Sequence, residues 1–288
     1  MSPVTVVTDS AAALPPDVAE RDGIRVVPLW LTIGGERHRD GEIALDEVVR
    51  RFGEPITTSA PAPGEYVAVI TEALATGPVL VLTIAAGMSS TYDSAVLAAK
   101  LVADDDPTGE VSRRLAVVDT GTAAGAQALV VLAAARAAAA GADLAATVAA
   151  AERVAARVRL VATVADLERL AASGRVPDAA RWLGDRLGVR PMFEFRDGRA
   201  RPVRPAFSPE AARQRIVARC AADAPGGDPA AGRLHAAVLH ALDSAAAQDL
   251  VDRLAPLEPA SCLVGPFSPV MVAHTGRGLA GLAWWWET

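Results

Sequence analysis

The sequence predicts an α/β protein built as two units, and two patterns carry that expectation. Short runs of β-branched and aliphatic residues at 4–7, 79–84 and 115–118 alternate with helix-forming segments, the signature of a mainly parallel sheet covered on both faces. After about residue 158 the pattern changes, because Asp197-Gly198 reads as a hairpin turn between two strands. Residues 1–158 are therefore expected to form an N-terminal α/β domain with a mainly parallel sheet flanked by helices. Residues 159–288 are expected to form a C-terminal α/β domain with a mixed sheet. A ligand site between or within the two is the natural place for a pocket.

The elements follow in order. Residues 4–7 form a first buried strand, with Thr8-Asp9-Ser10 at the end where open parallel sheets place ligands. Pro15-Pro16 opens a short helix ending near Gly23. Residues 24–31 read as one strand, followed by a Gly34-Gly35 turn and a return to Asp40-Gly41; 45–52 read as helix. Residues 56–65 hold too many turn formers for regular structure. A helix at 66–74 leads to the strand at 79–84, and a further helix, a strand at 115–118 and two Ala-rich helices at 123–140 and 143–157 follow. The second half reads as strands at 159–164 and 190–195, helices at 166–172 and 179–187, and a return strand through Arg204. A helix at 209–222, a Pro/Gly linker at 224–232, a strand at 234–239, a helix at 244–254 and a strand at 261–264 complete it.

Composition excludes several classes. The chain has 288 residues, 51% hydrophobic and 22% charged, which suits a packed globular protein and not a disordered one. A net charge of −6 without a Lys/Arg cluster argues against nucleic acid as a partner and leaves at most transient membrane contact. Cys220 and Cys262 lack metal-ligand spacing and read as two buried, reduced thiols. No metal-ligand cluster is expected. The start lacks a basic segment followed by a long apolar one, so a cytoplasmic protein is expected. The longest apolar stretch, 123–140, is broken by Gln127 and Arg136 and reads as a buried helix.

The stretch from Val79 to Ser94 carries the chemistry. A buried strand runs into Ala85-Ala86-Gly87-Met88, then into Ser89-Ser90-Thr91 at the start of a helix, where unpaired backbone N–H groups attract anions. Helix capping explains one of these hydroxyls but hardly all three. Asp9-Ser10 reads either as an Asx turn or as part of a ligand loop, and Thr58-Ser59 before Ala60-Pro61 reads on its own as a turn. His274, in the Gly-rich turn Ala273-His274-Thr275-Gly276 after an apolar segment, reads as functional, whereas His38, His235 and His240 read as ordinary. Trp284-Trp285-Trp286 reads as a C-terminal segment packed on the core or an interface.

Two catalytic readings are weighed against this anion site. The order Ser89, Asp166, His274 and the strand–turn–helix setting suit a serine esterase or lipase-like hydrolase using Ser89 and His274. Against it, Thr91 stands where a nucleophile elbow needs its second Gly, and no HGGG-like segment precedes it. Gly121-Thr122-Ala123-Ala124-Gly125 is neither a dinucleotide fingerprint nor a P-loop.

Taken together, several stretches resemble the DegV family, the fatty-acid-binding proteins that serve as the lipid-presenting subunit of bacterial fatty acid kinase. They are Thr8-Asp9-Ser10, Val27-Pro28-Leu29, Arg39-Asp40-Gly41, Thr58-Ser59-Ala60-Pro61, Met88 to Ala95, Val118-Asp119-Thr120, Leu167 to Leu170, Ser173-Gly174-Arg175, Arg190-Pro191-Met192, Val203-Arg204 and His274-Thr275-Gly276. Each is weak alone; the ordered set spans nearly the whole chain. The resemblance implies a two-domain DegV-like fold with an acyl chain buried between or within the domains, and a lipid-binding protein that is not itself an enzyme. It implies that Thr58 and Ser89, with Ser59 and Ser90 beside them, hold the fatty-acid carboxylate, that His274 lies close to it, and that Arg204 belongs to a surface used in phosphoryl transfer with the kinase subunit. Asp9, Ser10, Thr91, Thr120, Thr275 and Gly276 would belong to the surrounding loops. No cofactor is implied for this chain, since ATP and Mg²⁺ would belong to the partner kinase. The chain departs from the family pattern at Ser90, commonly Gly, at Ala60, commonly Gln, and at Ala85-Ala86, commonly a Ser pair. These positions bear on head-group geometry and chain length.

The chemistry suits the residues. A fatty acid needs one polar pinch point and a dry tunnel, and burying a dozen methylenes gains on the order of 10 kcal/mol at roughly 0.8 each. Association and ordering consume much of that gain. Ala, Val, Leu and Met can line a tunnel without leaving a motif, so the motifs mark only the head group.

Overall fold

Three sheets organise the chain in the computed structural model, which describes residues 2–165, 167–176, 190–196 and 198–288. The first contains β1 (Thr5–Asp9), β2 (Arg25–Val27), β6 (Val79–Thr83) and β7 (Leu115–Asp119), ordered β2-β1-β6-β7 with every pairing parallel. All five residues of β6 are buried, as an unbroken aliphatic run between two neighbours requires. The helices α1 (Pro16–Arg21), α2 (Leu45–Arg50), α3 (Pro63–Leu74), α4 (Thr91–Asp104) and α5 (Val111–Arg114) fall between these strands in the chain.

The second sheet was not foreseen. It contains β3 (Trp30–Ile33), β4 (Glu36–Arg39) and β5 (Ile56–Ser59), antiparallel in the order β4-β3-β5. The expected single strand at 24–31 is thus two strands in two sheets. Pro28 has no N–H to continue a ladder, and the Leu29 N–H goes to the Ser10 hydroxyl at 3.0 Å. The expected irregular segment 56–65 is likewise ordered: Ile56-Thr57-Thr58-Ser59 pairs with Trp30–Ile33, and Pro63 opens α3. β-branched residues outweighed the turn formers that follow them.

The third sheet, β10-β9-β8-β13-β11-β12, is mixed. Its strands are β8 (Arg159–Thr163), β9 (Arg190–Arg196), β10 (Arg199–Ala206), β11 (Arg233–His240), β12 (Ser261–Pro266) and β13 (Ala280–Glu287). Only β11 and β12 are parallel neighbours; the other pairings are antiparallel. The three tryptophans are packed in the core, and they belong to a strand, because β13 runs between β8 and β11 in the middle of the sheet. Period-2 alternation sends Trp284 and Trp286 to one face, where their ring N–H groups donate to Asp223 and to the Cys220 carbonyl, each at 3.0 Å. That face is covered by α9 (Pro209–Ala222) and α10 (Ser244–Leu254). Trp285 faces the other way and stacks on His235 at 4.8 Å. Cys220 is buried and free, but Cys262 is exposed on the edge strand β12, contrary to expectation.

Between the first and third sheets lies α6 (Ala124–Ala139), followed by α7 (Leu144–Ala155). Small side chains let α6 approach both neighbours: a Cβ on Gly125 would stand 3.1 Å from the Ala237 Cβ and 3.4 Å from that of Ala283. No described helix is long and apolar enough to cross a membrane. The helix α8 (Leu167–Ala172) follows β8, and α11 (Pro269–Thr275) precedes β13. His274 therefore sits in the last turn of a helix, not in a turn as expected, and Gly276 at φ +70° ends that helix. The helix expected at 179–187 lies outside the described residues, as do Asp166 and Asp197.

Candidate functional site

The loop after β6 is clamped by carboxylates from the strands on either side. Asp9, at the end of β1, accepts the Ile84 N–H at 2.8 Å and the Ala11 N–H at 3.0 Å. Asp119, at the end of β7, accepts the Ala86 N–H at 3.2 Å and the Gly121 N–H at 2.8 Å. Each carboxylate thus fixes its own turn with one oxygen and the central loop with the other. Burial pushes the Asp9 carboxyl up to about 6, against the pull of the Ile84 N–H, Gln127 and the Ala11 N–H. Thr120, buried, donates to the Thr83 carbonyl at 2.7 Å and braces the same frame.

On this frame the hydroxyls come together. The Ser89 and Thr91 hydroxyls lie 2.7 Å apart, and the Thr91 N–H donates to the Ser89 oxygen at 3.2 Å as α4 begins. Across the site the Thr58 hydroxyl, on β5, is 2.8 Å from His274 Nε2. Burial, followed by the cations Arg175 and Arg169, depresses the His274 pKa to about 4, so the imidazole is neutral near pH 7. Arg175 donates to the Ser173 carbonyl at 2.6 Å and reaches to 3.5 Å from the Thr58 hydroxyl. Arg169 spans from the Ala273 carbonyl to that of Phe52, with its guanidinium 3.5 Å above the Phe52 ring.

Behind these groups lies a cavity of about 300 Å³, at the lower end of the usual range for small-molecule sites. Its floor is the face of the third sheet opposite α9 and α10. Phe195, Leu160, Ala283 and Ala237 form one cross-strand row, and Phe193, Ala162, Gly281 and Leu239 form the next. The floor is lowest where β8 meets β13: a Cβ on Gly281 would lie 2.9 Å from that of Ala162. One row further, the stacked Trp285 and His235 succeed Ala283 and Ala237. The roof includes Ala123, which caps α6, with Ala124 and Gly125 of the helix itself. Thr58, Ser173, Arg175 and His274 line both this apolar cavity and a polar outer groove that holds Glu168 and Arg169, so they form the mouth between the two.

Of the residues singled out from sequence, Thr58, Ser59, Ser89, Ser90, His274 and Thr275 line the cavity. Asp9, Ser10, Thr91, Thr120 and Gly276 stand behind that lining and hold it in shape. Arg204 is exposed on the edge strand β10, outside the lining. Arg175 and Asp40 were noticed only as parts of motifs and given no role; nothing in an isolated sequence says that either faces His274 or its helix. Among the described residues no cluster suited to a metal ion occurs. Ser89 bonds to Thr91, and His274 to Thr58, so the two are not joined as a nucleophile and its base, and the geometry does not favour a hydrolase.

Comparison with known proteins finds relatives over nearly the whole chain. The profile of a family described as "Uncharacterised protein, DegV family" matches residues 3–287. The DegV domain-containing protein SCO2569 of Streptomyces coelicolor is 35% identical over 285 residues, 97% of each chain. A DegV family protein from Thermus thermophilus, whose structure is described for its fatty acid binding, has 32% identity and a TM-score of 0.88 over 99% of each chain. DegV of Bacillus subtilis, described as a fatty acid binding protein, has 26% identity and a TM-score of 0.84 over 100% of each chain.

Proposed function

The chain belongs to the DegV family, and from that premise we propose that it binds a long-chain fatty acid and presents the carboxylate to an ATP-binding kinase subunit for conversion to an acyl phosphate. The observation that carries this reading is the Thr58–His274 pair at the mouth of an apolar cavity. The tail lies on the floor formed by Ala162, Gly281 and Ala283, where its methylenes leave water at ~0.8 kcal/mol each.

The head group is held by hydroxyls. With its proton on Nε2, the neutral His274 donates to the Thr58 oxygen, which leaves the Thr58 proton to point at the carboxylate. Ser89 works the same way: its oxygen accepts from Thr91, and its own proton turns into the cavity. Hydrogen bonds to an ionised acceptor are short and strong. They hold a carboxylate oxygen without the close ion pair that would blunt its attack on a γ-phosphate. Arg175 supplies positive charge at the mouth from its exposed position.

ATP and Mg²⁺ belong to the partner, and Arg204 to the surface that meets it. The protein works in the cytoplasm, with at most transient membrane contact. Mass spectrometry of an organic extract from the purified protein tests the reading. A long-chain fatty acid near one equivalent is expected. A lipid-free protein that also fails to take up oleate would overturn it.

A further inference from the structure

We infer that Asp40 is a positioning residue for the head-group site: without lining the cavity, it anchors the helix that carries His274 to the first strand's loop and to Leu29. The inference rests on the fatty-acid reading above. The Asp40 carboxylate receives the Ser10 hydroxyl at 2.6 Å and the Val270 N–H at 2.9 Å. The Ser10 oxygen in turn accepts the Leu29 N–H at 3.0 Å, while the Asp40 N–H donates to the Leu29 carbonyl at 2.8 Å. Ala11, Leu29, Val270 and Met271 all line the cavity, so Asp40, through its carboxylate and its backbone N–H, joins three segments of its wall.

The helix needs such an anchor. α11 spans only Pro269–Thr275, and Pro269 has no N–H, so the Val270 N–H is the first donor at its N-terminus. Asp40 accepts that donor from a position 230 residues earlier in the chain, with a negative charge at the helix end that favours one. His274 lies about one turn further on and inherits whatever tilt this contact imposes. A carboxylate has acceptor sites enough for both donors; an alanine leaves them unpaired in a partly buried place.

A purely structural Asp40 would affect every ligand alike, whereas a positioning role is felt only by ligands that need the Thr58–His274 pair. The test therefore compares palmitate with its neutral alcohol, hexadecanol, by displacement of a fluorescent fatty-acid probe, with folding followed by circular dichroism. Asp40→Ala is expected to weaken palmitate by about tenfold while hexadecanol stays within about twofold. Asp40→Asn, which keeps an acceptor for Val270, is expected to recover most of the palmitate affinity. His274→Ala added to Asp40→Ala is expected to cost little more, because both act through the same pair. Parallel loss of both ligands, or unchanged palmitate binding, overturns the inference. If Asp40→Ala does not fold, Asp40→Asn decides alone: a loss of about threefold confined to palmitate supports it, and equal behaviour of the two ligands overturns it. A wild-type protein that binds neither ligand would instead defeat the fatty-acid reading.

Discussion

The Thr58 hydroxyl and His274 Nε2 meet at 2.8 Å although 216 positions separate them in the chain. One lies near the end of a strand of the small antiparallel sheet and the other in the last turn of a short helix, so their contact depends on the packing of α11 against β5. The pair makes a specific prediction. Thr58→Val keeps the shape and removes the hydroxyl, deleting one bond to a charged acceptor, about 1.5–3 kcal/mol. Fatty-acid affinity is expected to fall by at least tenfold in a displacement titration, with the methyl ester of the same acid affected less. Equal losses would mean that Thr58 only shapes the mouth.

Two titratable groups at this site, the buried Asp9 and the partly buried His274, have opposite pH signatures. The folded pKa of His274, about 4, lies below its ordinary 6.5, so the unfolded chain binds the extra proton and stability falls as pH drops through that window. The folded pKa of Asp9, about 6, lies above its ordinary 3.8, so the folded chain binds the extra proton and stability falls as pH rises from 3.8 to 6. The two slopes oppose each other across the shared interval. Relative to wild type, His274→Gln is therefore expected to gain stability between pH 7 and pH 4.5, on the order of 2 kcal/mol at ~1.4 kcal/mol per unit. Asp9→Asn is expected to lose stability over the same interval. Urea denaturation at both pH values checks the signs, and a pair of variants that shift together would contradict them.

What was legible in the sequence was mostly local. β6 was readable because a buried parallel strand is an unbroken aliphatic run, β7 because it shares that run although it is only half-buried, and α6 because alanine favours helix over so long a stretch. The second sheet was not, because β3 and β5 are short and their pairing partners are defined only by the fold. β13 was hidden for a related reason: three adjacent tryptophans give no alternation in hydrophobicity, although their side chains alternate between two faces. The hydroxyls of the site were found through their place after a strand and through the family resemblance. Asp40 and Arg175 were not assigned, since an exposed-looking acid or base acquires its role only from what it touches.

The floor of the cavity predicts how chain length is selected. Ala283 lies between Leu160 and Ala237 in one cross-strand row, one row before the stacked Trp285 and His235. Ala283→Leu adds three carbons at this point and displaces about as many methylenes of a long tail. At ~0.8 kcal/mol each, affinity for an eighteen-carbon acid is expected to drop by about fiftyfold, while a twelve-carbon acid binds nearly as before. A panel of saturated acids from ten to eighteen carbons measures the shift. Uniform weakening across the panel would show that the tail does not reach Ala283.

On the proposed function, Arg204 is the residue that should separate holding the acid from handing it on. Its side chain is exposed on the edge strand β10, outside the cavity lining, and Arg215 holds the Arg204 carbonyl at 2.7 Å, so the strand keeps that contact when the side chain is removed. Loss of an exposed charge of this kind costs within about 0.5 kcal/mol of stability. Arg204→Ala is therefore expected to bind fatty acid with wild-type affinity and yet to lose acyl-phosphate formation when assayed with a fatty acid kinase ATP-binding subunit. Arg175→Ala is expected to differ, because its guanidinium lies 3.5 Å from the Thr58 hydroxyl at the mouth. That variant should weaken binding of the acid itself. Titration of both variants with one fatty acid, followed by the coupled kinase assay, distinguishes the two arginines. Equal loss of binding in both would remove Arg204 from the partner surface.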